Sequence, residues 1–209
     1  FWESTKIEKI VRKMRVLDES KPNMGFSYAD YYDENLNYIT AGPRIKNCSF
    51  RNSLVECCSQ GMTMIINKKA RDIIIKNKSE NGFFHDQWTY MVCSSMGEVT
   101  FVEEALVRYR RLEESVTAEG KGWIEVMKWR FKKLLFEGGF KKFKTQILDF
   151  KKLFYKSQYL SKENKRLLRL FTRYYNPIYA IIKFLYPKRF RRKFTDEILV
   201  RILFLIGVL

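Results

Sequence analysis

The sequence is poor in the residues from which most metal and covalent-catalysis sites are built. One histidine, His85, and four cysteines with no CxxC spacing are too few for a structural zinc site. With a single imidazole, no Ser/His/Asp or Cys/His pairing competes for a nucleophilic mechanism. No Gly-x-Gly-x-x-Gly or Walker sequence is present to cradle a phosphate. No apolar run reaches the roughly 18 to 20 residues that cross a bilayer; the closing run 198–209 is short and broken by Arg201. Acidic residues are scarce late in the chain. Residues 1–120 hold 17 Lys+Arg against 17 Asp+Glu, whereas 121–209 hold 23 against 6, so the whole net charge of +17 lies in the second segment. A chain that is 46% hydrophobic and 16% aromatic can still bury a core, which excludes a disordered basic protein. Cys48, Cys57, Cys58 and Cys93 read as reduced thiols of a cytosolic compartment. The first residues carry neither a basic n-region nor an apolar h-region and follow no methionine. The expectation is a chain without a secretory leader that begins in mid-protein.

Apolar spacing predicts an amphipathic helix over 5–17 and a short buried strand from Met24 to Tyr28 that ends at Asp30, with a turn rich in Asp and Asn over 31–37. A carboxylate just past a strand end either meets a ligand in an open α/β sheet or caps the turn. A loop with a short helix is expected over 41–60, with Leu54 and Val55 inward. The run Gly61–Ile66 reads as a central strand, its glycine allowing a bend or close approach, and 68–76 as a helix. Strand, helix, strand is the rhythm of an α/β layer.

The chain is organised around 82–112. There Asp86 stands between His85 and Trp88 where a glycine-led turn enters a helix, which runs through Gly97 into a strand over 99–101, a turn at Glu103 and Glu104, and an extended 106–110. An Asp at a helix start has a structural role as cap. Its neighbours also suit chemistry: Phe84 and Trp88 offer aromatic faces to a sugar ring, His85 and Gln87 offer hydrogen bonds, and an ionised carboxylate beside them suits removal of a proton from a sugar hydroxyl. Arg110 and Arg111, at the end of the following strand, either grip phosphate bidentately or form a solvated rim.

The order Gly-Met-Thr-Met at 61–64, His-Asp-Gln-Trp at 85–88, the Gly97 strand and Tyr-Arg-Arg at 109–111 resembles the second half of bacterial family 2 glycosyltransferases, especially rhamnosyltransferase-like enzymes of surface polysaccharide synthesis. The resemblance covers most of 1–120. It implies an α/β fold, the second half of a Rossmann-like nucleotide-sugar transferase of the GT-A type, and transfer of a sugar from a nucleotide-sugar donor with inversion in one displacement. It implies Asp86 as the general base, with Trp88, His85, Gly61, Asp30, Arg110 and Arg111 on the substrates. Phe1, Trp2 and Lys6 look like the segment that follows the family's aspartate-rich motif. The donor site and its Mg2+ or Mn2+ would then lie upstream of Phe1, with no metal held in this chain, and the 209 residues alone would turn over no nucleotide sugar.

Residues 121–209 read as a second unit, a C-terminal extension of basic, aromatic-rich amphipathic helices at about 122–135, 140–155 and 162–175, with a tail of apolar segments around the basic run 188–193. A helical extension with a solvated face, a nucleic-acid surface and an anionic membrane surface compete for it. The charge excess is too lopsided for the first alone. The apolar faces are too rich for the second, and no nucleic-acid module is recognisable. Binding in the plane of an anionic inner leaflet uses both features and suits a saccharide or lipid-linked acceptor. The expected setting is therefore cytoplasmic, peripheral at the inner face of the cell membrane. The alternative function is a non-catalytic basic module for membrane or nucleic acid, in which Asp86 only caps its helix.

Overall fold

The computed structural model describes residues 1–45, 48–78, 84–111, 139–174 and 176–207. Its elements are α1 (Lys6–Met14), β1 (Met24–Tyr32), β2 (Tyr38–Ala41), α2 (Phe50–Ser53), β3 (Met64–Ile66), α3 (Lys68–Lys76), α4 (His85–Met96), β4 (Val99–Arg110), α5 (Gly139–Phe154), α6 (Lys162–Phe171), α7 (Pro177–Phe184) and α8 (Phe194–Leu205). The chain is mixed α/β, with an open mixed sheet among the described residues.

The centre of the sheet is β1, a nearly continuous buried strand, as expected for a strand covered on both faces. β4 lies parallel to it along its whole length, which requires the crossover that α3 and α4 supply. On the other edge β3 pairs antiparallel with Met24–Phe26 and β2 with Asp30–Tyr32. Ile10 of α1 packs with Val102 and Leu106, while Tyr90 and Cys93 of α4 pack with Met24, Phe26 and Tyr28.

Local chemistry sets the boundaries. Ser49 and Asn67 cap α2 and α3 by accepting from Asn52 N and Ala70 N, and Asn176 caps α7 ahead of Pro177, which fits the first helical turn. Gly97 ends α4 where a Cβ would stand 1.9 Å from the carbonyl oxygen of Pro22, so only a glycine fits.

Two expectations change. Gly61–Thr63 forms a 3-10 turn, and only Met64–Ile66 is strand, at the edge of the described sheet and not its centre. The expected turn at Glu103 and Glu104 is a bulge within one continuous strand, where Ser27 pairs with Val102 and Tyr28 with Ala105. Across the expected division at 120/121, Phe50, Leu54, Trp88 and Met91 pack in one cluster with Phe150 and Phe204. The helix expected at about 122–135 lies outside the described residues, while those expected at 140–155 and 162–175 are present as α5 and α6. No described helix is long and apolar enough to cross a membrane.

Candidate functional site

The site assembles at the carboxyl ends of the parallel pair β1 and β4. Tyr31, buried in β1, meets the ring of Tyr109 edge-on at 5.7 Å, and the Arg111 guanidinium lies 5.2 Å from its ring centroid. The Arg111 amide donates to Tyr32 O at 2.8 Å, which extends the ladder past the end of β4. On its other side the Tyr31 hydroxyl accepts from Gln60 Nε2 at 2.8 Å. Gln60 leads into the 3-10 turn, where Gly61 lies so close to His85 that a Cβ would stand 2.3 Å from its Nε2. Gly61 therefore does admit a close approach, and what approaches is the imidazole next to Asp86.

The turn is held from beneath by Lys6. Lys6 is buried, donates to Met62 O at 2.7 Å and lies 3.5 Å from the Trp2 ring centroid. Burial lowers its pKa from the ordinary lysine value. Tyr31 and Gln60 were missed by sequence reasoning, which noted Lys6 only as part of the resemblance and not for its burial under the turn. The one usable signal was the four-residue spacing from Lys6 to the core residue Ile10, which puts both on one helix face.

Asp86 occupies the second position of α4 and is half-buried. Its Oδ1 accepts from the Gln87 amide at 2.8 Å, one of the amide groups a helix start leaves open. No hydrogen bond to its other oxygen is formed among the described residues. The Gln87 side chain donates to Ser53 O and fixes this end of α4 against α2. The Asp86 charge is felt by Cys57, whose thiol pKa is raised first by burial and then by that carboxylate. Phe84 and His85 are exposed beside it.

Three assigned residues fall elsewhere. Trp88 is buried at 4% exposure, its ring 5.6 Å from that of Phe150 and 6.0 Å from that of Phe154, so it presents no open face to a sugar. The aromatic group open to solvent is Phe84 instead. Asp30 neither caps the turn nor stands open: its carboxylate is paired with Arg44, and Asp33 closes the turn by accepting from Asn35 N and Asn37 N. Arg110 and Arg111 diverge, as neighbours in extended chain must; Arg111 faces Tyr31 and Arg110 is exposed. All four cysteines are free thiols. Among the described residues no group of three or more His, Cys, Asp or Glu side chains could hold a metal ion. Comparison of the chain with known proteins finds no matching family model, curated protein or solved structure.

Proposed function

We propose that the chain carries the acceptor side of an inverting glycosyltransferase of the GT-A type, similar to family 2 enzymes, which moves a sugar from a nucleotide-sugar donor to a saccharide or lipid-linked acceptor. The observation that carries the reading is the gathering of a carboxylate and a guanidinium at one end of the sheet. Asp86 is linked through His85, Gly61, Gln60 and Tyr31 to Arg111 by an unbroken series of contacts.

In this reading the acceptor hydroxyl lies against Asp86, with Phe84 and His85 beside the sugar. The hydroxyl oxygen attacks the anomeric carbon, its proton passes to the unengaged Asp86 oxygen, and the bond to the nucleoside diphosphate breaks. The hydrogen bond from Gln87 N fixes the carboxylate's direction, as a general base requires. Arg111, steadied on Tyr31, stabilises charge on the departing diphosphate. The resemblance implies a metal, and none of the described residues is assigned to it. In this reading the transfer takes place at the inner face of the cell membrane.

The same Gln87 bond favours a second reading, a binding module in which Asp86 only completes its helix start. Asp86→Asn separates the two in the complete protein, assayed by nucleoside diphosphate release from nucleotide sugars. A general base predicts a rate lower by about 10²-fold or more with the fold intact. Unchanged turnover with stability lower by about 1 kcal/mol would leave only the cap.

A further inference from the structure

The polarity of α7 and α8 is turned inside out. These helices pack side by side, and the charged groups they bury are Lys183, Asp196 and Glu197. What they expose is apolar: Ile178, Ile181 and Leu185 recur at intervals of three and four along α7, and Phe194, Ile198 and Ile202 at intervals of four along α8. Each set forms one stripe of a helix. By contrast α5 and α6 turn Phe150, Phe154, Leu168 and Phe171 into the core shared with α2 and α4, so their main apolar faces are already covered.

The charge around these stripes has one sign. Residues 176–207 hold 7 Lys or Arg against 2 Asp or Glu, and both acids are engaged internally, Asp196 with Arg191 and Glu197 with Arg201. Arg191 also turns inward, its guanidinium donating to Val55 O, while Arg192 donates its backbone amide to Glu56 and has a buried Nη1. That leaves Lys188, Arg189 and Lys193 exposed at the connection between the helices. The Arg189 guanidinium lies 5.7 Å from the ring centroid of exposed Phe194 and joins the basic cluster to the apolar stripe. A second copy of this chain would bring the same cations against themselves. A phospholipid surface with anionic headgroups matches cations and apolar stripe together.

We propose that α7 and α8 form a membrane wedge that lies in the plane of an anionic bilayer, its Ile, Leu and Phe stripes in the acyl boundary and Lys188, Arg189 and Lys193 on the headgroups. The longer helix spans about 18 Å at 1.5 Å per residue, short of the roughly 30 Å hydrocarbon layer, so the wedge lies on one leaflet. The inference does not depend on the sugar chemistry. It replaces a surface spread over the whole of 121–209 with one helix pair.

Flotation of the full chain with phosphatidylcholine vesicles, with and without phosphatidylglycerol, tests it. The chain floats with the anionic vesicles and not with the neutral ones. Ile181→Asp combined with Ile198→Asp weakens binding about tenfold or more, while circular dichroism stays unchanged because both positions are exposed. Should that pair not fold, the corresponding glutamine substitutions make the same test. Lys188→Gln with Lys193→Gln weakens binding roughly 30-fold at low salt, from about one kcal/mol per charge. No flotation, equal flotation with both vesicles, or binding indifferent to the isoleucine substitutions would overturn the proposal. So would a lipid-free dimer, seen by sedimentation, that the isoleucine substitutions split.

Discussion

At the scale of single residues, the site depends on contacts that leave no margin. A methyl group at Gly61 would displace the His85 ring, which is exposed and free to swing outward. Gly61→Ala is therefore expected to change stability by less than about 1 kcal/mol and, on the glycosyltransferase reading proposed above, to raise KM for the acceptor. Thermal unfolding and acceptor titration on the same variant check both halves. An unchanged KM would remove His85 from the site. Why Gly61 matters was legible in the sequence only as a place for close approach. That the partner is His85 was not, because 24 positions separate them and only folding brings them together.

Among the elements, α7 shows how a helix can hide a charge. Lys183 is fully buried, 5.0 Å from the Phe204 ring centroid and 5.5 Å from that of Tyr174, and burial, with the charge of Lys144 adding, pushes its ammonium down to about 8. The unfolded chain holds this proton more tightly than the folded one. The burial cost is thus full below pH 8 and is relieved as pH rises from about 8 toward 10.5. Wild-type protein is expected to gain stability relative to Lys183→Met across that window, measured by urea midpoints at matched pH. Midpoints that stay a constant distance apart would show that the ammonium is not desolvated. Element positions were otherwise readable: the apolar spacing of α1 and α3 and the helix start at Asp86 are local signals. The lone strand expected to be central became a turn plus a short edge strand because its apolar run carries no mark of how many neighbours it meets.

For the molecule as a whole, the question is whether the C-terminal helices are an appendage or part of one core. Phe150 touches both sides of the expected boundary, with ring centroids 5.6 Å from Phe50, 5.6 Å from Trp88 and 4.7 Å from Phe154. Phe150→Ala is expected to cost about 3–5 kcal/mol and to lower one cooperative unfolding transition followed together by tryptophan fluorescence and far-ultraviolet circular dichroism. Two separated transitions would mean two independent units. Side-chain bonds agree with a single body, since Asn52 Nδ2 donates to Phe190 O and Arg51 Nε to Arg189 O, tying the basic run to α2.

Sequence alone determined much of what depends on near neighbours: α1, the strand that starts at Met24, α3, α5 and α6, the mixed α/β character, the concentration of positive charge after residue 120, and Asp86 at a helix start. Spacing along the chain encodes these directly. Tertiary structure decided which face of each element meets which. It buried Trp88 in the core, paired Asp30 with Arg44, set Arg111 on Tyr31 and turned Lys6 inward. It also left the apolar stripes of α7 and α8 outside. An amphipathic pattern states that a helix has two faces, but only packing against distant residues decides which face is covered.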